Sequence, residues 1–385
     1  MKIVGIICEY NPFHNGHAKQ LSAIRRLCGE DSAIVCLMSG NFVQRGHPAI
    51  IDKSLRAQAA VDCGADLVLE MPIAVSLSSA EGFASGSVKI LSSFCDTLCF
   101  GAETASAESL WCTAWALKSE SFSPALRCFL DAGLSFPAAR AKALESMGLS
   151  AELLAKPNDT LAVEYCKAII SQGSAMEILP IHRNGDYHSE TADRDNPSAT
   201  FLRSVLGRSG DISPFVPVKS AFQQNVTLHA LEYGERAVLA KLRTMSDDEF
   251  EALPYGSEGL WRKLMHESRR QSTIDGILTA VKSKRYTRTR LDRMVMCAFL
   301  GLTAEDLASP APYIRALAVS AKGRGVLKMA REKIAIYNPG QVPDNPYWAT
   351  ESRIGDLYGL FAKDGPEPPN AERARRIYHR EDTDL

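Results

Sequence analysis

The 385-residue sequence has no strong net charge and no long apolar run. Its 44 lysines and arginines nearly balance 45 aspartates and glutamates, for a formal net charge of −1. Composition therefore predicts no general affinity for nucleic acid, and any basic surface must be local. No apolar stretch approaches the roughly 20 residues of a transmembrane helix, so we expect no membrane partner. With 45% hydrophobic residues, the chain is long enough for two globular domains.

The ten cysteines lack the C-x-x-C spacing of zinc and redox sites. Most of them lie within apolar runs, which is typical of reduced packing residues in a cytoplasmic protein. We therefore predict a cytoplasmic location, and we predict no metal site built from protein ligands.

What the sequence does contain is an alternation of strand and helix patterns over roughly its first hundred residues. Short apolar runs predict strands at Lys2 to Ile7, Ala33 to Met38, Asp66 to Glu70 and Thr97 to Phe100. Helical periodicity fills the intervals between them. The alternation predicts an α/β fold with a Rossmann-like, doubly wound parallel sheet.

The pattern changes twice along the rest of the chain. Residues 105–154 read as a helical insertion, and Ala175 to Pro180 predicts a further strand before a helix that starts at Ser198. Beyond about Phe222 the pattern is mainly helical. We therefore predict a catalytic domain of residues 1–222 and a mainly α-helical C-terminal domain of residues 223–385.

The most informative segment runs from Ile6 to His17, where an apolar strand leads into a His14-Asn15-Gly16-His17 turn that opens a helix. The two histidines share one side of the first helical turn. The free N–H groups and positive dipole end of that helix suit phosphate. Because the turn follows the first strand of an α/β chain, it lies where open sheets bind ligands. We predict that His14 and His17 donate hydrogen bonds to ATP while its α–β phosphate bond breaks.

Other polar motifs also follow predicted strands. The loop from Ser39 to Pro48 is polar and punctuated by glycine, as substrate-binding loops are. Gly101 allows a nucleotide to approach the backbone. A helix N-cap by itself would explain the string Pro157-Asn158-Asp159-Thr160. Arg183 places a guanidinium where phosphate can bind.

A second helix start carries the string Ser198-Ala199-Thr200-x-x-Arg203. Hydroxyl and N–H groups at a helix start, with an arginine one turn later, can hold a leaving diphosphate. We predict catalytic roles for Thr200 and Arg203, and nucleotide binding by Ser198.

Positive charge is concentrated between Arg262 and Arg293, where ten basic residues face three acidic ones, for a local charge of +7. Such a run is often a solvated helix face, but it also fits RNA, and Tyr286 can stack on an unpaired base. The candidate RNA contacts, called the basic cluster below, are Lys282, Lys284, Arg285, Tyr286, Arg288, Arg290 and Arg293.

These motifs together resemble a known family. The two helix-start strings are similar to those of the HIGH-type nucleotidyltransferases, which adenylylate carboxylates or phosphates. The longer strings resemble the bacterial tRNA(Met) cytidine acetate ligases over nearly the full length. They are Glu9 to His17, Met38 to Gly46, Gly64 to Pro72 and Lys284 to Thr287.

The resemblance implies that ATP drives ligation of acetate to the N4 amine of the wobble cytidine in elongator tRNA(Met), giving N4-acetylcytidine. It also implies a set of nucleotide contacts. These are Ile7, Cys8, Glu9, Tyr10, Asn11, Pro12, Phe13, His14, Asn15, Gly16, His17, Ala18, Lys19, Gln20, Gly101, Asn158, Arg183 and Asn184. A Mg²⁺ ion accompanying ATP is an expectation of phosphate chemistry, since no motif here indicates one.

Two other functions are compatible with the motifs. One is a small-molecule adenylyltransferase of the same superfamily, whose helical half would serve only for assembly. The other is a non-catalytic RNA-binding module on a decayed nucleotide fold. The presence of both histidines and of the Ser198 to Arg203 string disfavours the second.

Overall fold

The computed structural model describes residues 1–182, 193–217, 226–283 and 285–381. Its strands are β1 (Ile3–Cys8), β2 (Ala33–Ser39), β3 (Phe42–Val43), β4 (His47–Pro48), β5 (Leu67–Met71), β6 (Thr97–Ala102), β7 (Glu177–His182), β8 (Ile314–Val319), β9 (Ile336–Tyr337) and β10 (Tyr378–His379). Its α-helices are α1 (Asn15–Cys28), α2 (Lys53–Asp62), α3 (Ile73–Ser76), α4 (Ala80–Leu91), α5 (Ala107–Lys118), α6 (Phe122–Asp131), α7 (Phe136–Ser146), α8 (Pro157–Ser171), α9 (Ala199–Gly207), α10 (Leu231–Thr244), α11 (Asp247–Glu251), α12 (Leu260–Ser268), α13 (Ile274–Val281), α14 (Arg288–Leu300), α15 (Ala304–Ala308), α16 (Ala321–Arg331), α17 (Tyr347–Tyr358) and α18 (Ala371–Ala374). Short 3₁₀ helices occur at Glu152–Ala155, Ser213–Phe215 and Gly359–Phe361.

One sheet dominates the described part of the chain, with strand order β10-β8-β5-β2-β1-β6-β7 and with β9 beside β8. Strands β5, β2, β1, β6 and β7 are parallel neighbours, with Ile3 opposite Ala33 and Val4 opposite Thr97. The chain moves outward from β1 in both directions, which confirms the predicted doubly wound sheet. The loops after β1 and β6 flank the point where the strand order reverses, and such sheets bind ligands there.

Both faces of the sheet are covered, because successive residues of β1 point to opposite sides. Ile3 packs in a core with α4, α8 and α16, whereas Val4 and Ile6 pack with α1 and α2. Parallel strands buried on both faces are continuous apolar runs, and all seven residues of β2 are buried. This property makes the central strands recognisable from sequence.

The predicted helical insertion is confirmed as α5, α6 and α7, which lie between β6 and α8. Helix α5 packs against α8, while α6 and α7 pack against each other. The insertion therefore packs against α8 through α5.

The C-terminal half differs in part from the predicted mainly helical domain. Residues 231–308 are helical and have their own core, with Leu242, Phe250 and Leu264 buried at its centre. The chain then returns to the sheet as β8, which runs antiparallel to β5. A short buried run such as Ile314–Val319 cannot be told from a helix by periodicity. The predicted boundary between residues 222 and 223 lies outside the described residues and stays a prediction.

Buried ion pairs join the end of the chain to the start of α2. Lys53 contacts Glu70 at 2.6 Å and Glu372 at 2.9 Å, and Arg375 contacts Asp52 at 2.7 Å. Burial by itself raises the pKa of Asp52, but the Arg375 guanidinium outweighs it and holds that pKa well below its usual range. Removing one partner of such a pair leaves a buried charge, so the C-terminal segment and the start of α2 depend on each other for stability.

Candidate active site

The chain leaves β1 in a tightly packed turn. Tyr10 has a positive φ of 47° and is buried, with its hydroxyl 3.3 Å from the sulfur of Cys36. The Asn11 side-chain oxygen accepts a hydrogen bond from the Ile50 backbone N–H at 2.7 Å. These contacts hold the start of α1 against the loops that follow β2.

His14 and His17 form a reciprocal cap at the N-terminus of α1. His14 Nδ1 accepts from the Gly16 N–H at 3.1 Å, and His17 Nδ1 accepts from the His14 N–H at 3.2 Å. A ring nitrogen that accepts carries no proton, so in each neutral imidazole the proton is on Nε2. The two rings stack with centroids 3.6 Å apart. The backbone of this turn therefore makes both Nε2 atoms donors.

The Ser198 to Arg203 string lies beside this turn. Ser198 caps α9 by accepting from the Phe201 N–H at 3.0 Å. The Arg203 guanidinium donates to the Asn11 carbonyl at 2.8 Å and to the Thr200 hydroxyl at 3.1 Å. Two motifs nearly 190 residues apart in sequence are thus joined by one arginine.

The opposite wall is formed by the end of β6 and the start of α8. Gly101 pairs in register with Ile181 of β7. The Glu103 carboxylate accepts from the Asn158 N–H at 3.3 Å, from the Asn158 amide at 2.7 Å and from the Asp159 N–H at 2.8 Å. Helix α8 is thus capped from outside by Glu103, and its own Asn158 and Asp159 do not cap it as the string by itself suggested.

These elements enclose a cleft of about 1350 Å³. The predicted residues that line it are Ile7, Cys8, Glu9, Tyr10, Asn11, His14, Gly16, His17, Lys19, Gln20, Gly101, Asn158, Ser198, Thr200 and Arg203. Four predicted contacts are in the same turn and helix but do not line the cleft, namely Pro12, Phe13, Asn15 and Ala18. Phe13 is fully buried and packs in the core. Arg183 and Asn184 lie outside the described residues.

The sequence of the chain is similar to those of known proteins. A sequence model of the HIGH Nucleotidyl Transferase family matches residues 1–371. A tRNA(Met) cytidine acetate ligase of Clostridium acetobutylicum is 36% identical over 87% of this chain and 89% of its own. One of Anoxybacillus flavithermus is 33% identical over 98% of both chains.

Solved structures agree with these sequence matches. Crystal structures of Thermotoga maritima TmcAL, one apo and one bound with alpha-thio ATP, are 28% and 29% identical to this chain. Their TM-scores are 0.89 and 0.86, and each match covers 99% of this chain and 100% of the other. The chain belongs to the tRNA(Met) cytidine acetate ligase family. It carries the fold of the HIGH nucleotidyltransferases.

One residue that supports this ligase-family cleft from behind its lining escapes prediction from the sequence. Arg56 is fully buried and donates to the carbonyls of Glu9, Ser39, Gly40 and Ile51. It thereby ties the ends of β1 and β2 to the start of α2. The only sequence signal is a lone arginine among the alanines of an apolar helix.

His47 belongs to the polar segment from Ser39 to Pro48, and it lines the cleft on the hairpin formed by β3 and β4. Burial lowers the pKa of His47, and this outweighs Asp292, whose carboxylate lies 4.0 Å from Nε2. The nearby cations Arg203, Arg288 and Arg45 lower the pKa further. The start of α14 therefore lies next to the catalytic cleft of this ligase-family protein.

The stretch from Arg262 to Arg293, which contains the basic cluster, is less positive than its count of +7 suggests. Arg285 contacts Glu258 at 2.9 Å, and Arg288 contacts Asp275 at 3.0 Å and Asp292 at 3.1 Å. Lys282 is exposed, and Lys284 lies outside the described residues. Asp247, which contacts Arg269 at 3.1 Å, and Glu258 both precede the counted stretch, so the sequence count misses two neutralising charges.

Two further arginines of the cluster hold the protein itself together. Arg290 donates to the Tyr255 carbonyl at 2.8 Å. Arg293 is 7% exposed, lies over the Tyr255 ring and donates to the Gln44 carbonyl. The Arg293 guanidinium is therefore buried between α14 and the loop after β3, and its predicted contact with RNA stays a prediction.

The other predictions concern metals, membranes and cysteines. Among the described residues, no three or more His, Cys, Asp and Glu side chains are arranged to hold a metal ion. Within the same ranges no helix combines the length and apolarity needed to cross a bilayer. All ten cysteines are unbridged, and five are buried. Burial raises the pKa of the Cys99 and Cys166 thiols to about 12, as expected of inert packing residues.

Proposed function

We propose that this protein is a cytoplasmic enzyme that ligates acetate to the N4 amine of the wobble cytidine of elongator tRNA(Met). ATP drives the reaction, and AMP and diphosphate are released. The observation that carries the proposal is the stacked, backbone-oriented pair of His14 and His17 in a chain that matches named acetate ligases end to end.

The first step is activation of acetate. An acetate oxygen attacks the α-phosphorus of ATP, the bond to the bridging oxygen breaks, and diphosphate leaves with acetyl-adenylate remaining. The Nε2–H groups of His14 and His17 donate to the phosphoryl oxygens, where negative charge grows. Thr200 and Arg203, at the start of α9, hold the β and γ phosphates. A Mg²⁺ ion bound to these phosphates would neutralise part of their charge.

The second step is transfer. The cytidine N4 lone pair attacks the acetyl carbon, the bond from that carbon to the adenylate oxygen breaks, and AMP leaves as the amine loses a proton to solvent. No protein side chain forms a covalent bond to the acetyl group, so positioning supplies much of the rate.

The tRNA surface in this proposal is the basic cluster apart from the buried Arg293. Lys282, Lys284, Arg285 and Tyr286 bind the anticodon arm, together with Arg288 and Arg290 at the start of α14. The closeness of Arg288 to His47 and Arg203 supports this placement, since it connects the cluster to the cleft. An unpaired base can then be presented to the adenylate while the backbone stays outside.

The test is incubation of the full-length protein with tRNA, ATP and isotope-labelled acetate, followed by mass spectrometry of the nucleosides. We expect labelled N4-acetylcytidine in elongator tRNA(Met) and none in a transcript whose wobble cytidine is replaced by uridine. Diphosphate release without any need for acetate would instead indicate a small-molecule adenylyltransferase. Failure to bind ATP would indicate a non-catalytic RNA-binding module.

A further inference from the structure

One wall of the cleft is formed by the ends of β6 and β7 and by the start of α8. Phe100, Gly101, Leu161 and Ile181 give it an apolar surface, and the polar residues Asn158, Thr160, Tyr165 and His182 also line it. A mainly apolar surface with a few oriented polar groups suits an aromatic base. The proposed function places the phosphates of ATP at the opposite end, beside His14, His17 and Arg203.

The orientation of the Asn158 amide is determined by its neighbour. An ionised carboxylate can only accept, so the Asn158 group that lies 2.7 Å from Glu103 must be the NH₂. The amide oxygen is then the polar atom that remains for a ligand. Glu103 itself cannot turn away easily, because its other oxygen accepts from the fixed Asp159 N–H at 2.8 Å.

A second contact makes this arrangement reciprocal. The Asp159 carboxylate, fully buried, accepts from the Thr104 N–H at 3.0 Å and from the Thr104 hydroxyl at 2.5 Å. The segment after β6 and the start of α8 thus each supply a carboxylate that accepts hydrogen bonds from the other. This clasp fixes the separation between the Gly101 backbone and the Asn158 side chain.

We infer that Glu103 is a positioning residue that makes the enzyme select adenine. By holding the Asn158 NH₂, it presents the amide oxygen to the base, and that oxygen accepts from the exocyclic amine of adenine. Hypoxanthine and guanine carry an oxygen at the same position, which would face the amide oxygen without a proton between them. The inference rests on the proposed function, because it assumes that ATP occupies this cleft.

Glu103→Gln keeps the size of the side chain at position 103 but changes which group of the Asn158 amide can face it. The glutamine oxygen keeps the shorter backbone contact, with the Asp159 N–H at 2.8 Å, and gives up the 3.3 Å contact with the Asn158 N–H. Its NH₂ then faces the Asn158 side chain, whose amide turns to accept from it. The Asn158 NH₂ is then the group offered to the base, and it suits an oxygen at that position. The variant should therefore bind ATP more weakly and ITP more tightly than the wild type does.

The experiment is calorimetric titration of full-length wild type, Glu103→Gln, Asn158→Ala and Thr104→Val with ATP and with ITP, in the absence of acetate. We expect the preference for ATP over ITP to fall by about tenfold or more in Glu103→Gln, the scale of exchanging one matched hydrogen bond for a mismatched pair. Asn158→Ala should lose the preference without gaining ITP affinity. Thr104→Val removes one hydroxyl, but the Thr104 N–H still donates to Asp159 and Glu103 still holds the Asn158 amide, so its preference should be unchanged.

The gain in ITP affinity is the decisive readout, because a merely loosened structure would not produce it. Wild-type preference in Glu103→Gln, or an equal loss in Thr104→Val, would overturn the inference while leaving the proposed function standing. Absence of ATP binding by the wild type would overturn both.

Discussion

The turn after β1 lines the cleft and the start of α14 lies beside it, and the two regions hold their nitrogen donors in opposite ways. In the turn, backbone N–H groups donate to the Nδ1 atoms of His14 and His17 and so make Nε2 the donor of each neutral ring. At α14, carboxylates form ion pairs with the cationic groups themselves, as Asp275 and Asp292 do with Arg288. A short motif that is organised by its own backbone keeps the hydrogen-bonding role that its sequence predicts. The effective charge of a basic stretch depends instead on which acidic side chains pack beside it.

The largest effect is expected at the turn. His14→Ala or His17→Ala should lower acetyl-adenylate formation by about a hundredfold or more, the scale of losing one donor to a developing oxyanion. Loss of the N-cap at His14 should cost about 1 kcal/mol of stability, too little to unfold the protein. The measurement is acetate-dependent release of diphosphate, with thermal unfolding recorded for each variant.

His379→Ala is the matched control, since His379 is exposed on β10 and does not line the cleft. Turnover near the wild-type rate in a folded His14 or His17 variant would remove that residue from the mechanism.

A smaller effect is expected from the exposed part of the basic cluster. Replacing Lys282 and Arg285 with glutamate should weaken tRNA binding by about tenfold and flatten its salt dependence, because fewer counterions are released. ATP affinity should stay near the wild-type value. Filter binding across a salt series measures both properties of the tRNA complex.

Lys89→Glu with Lys142→Glu makes the same change in net charge at exposed positions on α4 and α7. Equal weakening by this control pair would mean that overall charge, rather than the basic cluster, governs tRNA binding.

A still smaller effect would show whether neighbouring carboxylates weaken tRNA binding by the basic cluster. Glu258→Gln leaves Arg285 without its carboxylate and should tighten tRNA binding about twofold, since exposed ion pairs contribute little. Glu249→Gln, which loses an exposed pair with Lys241 on α10, serves as the control. Weaker binding by Glu258→Gln would show that Glu258 positions Arg285 rather than neutralising it.

The smallest effect concerns pH at the hairpin between the two regions. Because burial lowers the pKa of His47, the native state binds a proton less readily than the unfolded state does. Stability is therefore complete above the usual pKa of 6.5 and declines as pH falls below it toward the native value. His47→Asn should lose less unfolding free energy between pH 7.5 and 5.5 than the wild type, as measured by urea denaturation. An equal loss in the two proteins would contradict this sign.

Different parts of the molecule were predictable to different degrees. The central strands β1, β2, β5 and β6 were predicted because strands buried on both faces are short apolar runs between turns. Strand β8 was not predicted, because it lies antiparallel beside β5 after a long helical stretch and its sequence lacks a distinguishing period. The edge of the sheet is completed by long-range pairing that no local pattern encodes.

The candidate site shows the same division. The sequence by itself determined the histidine turn, since the residues that orient His14 and His17 lie within four positions of one another. Only the tertiary structure placed Arg203 on the Asn11 carbonyl, capped α8 with Glu103 and buried Arg293 against the loop after β3. The physical reason is range. Backbone hydrogen bonds within one helical turn follow from adjacent residues, whereas burial and ion pairing depend on which distant segments the fold brings together.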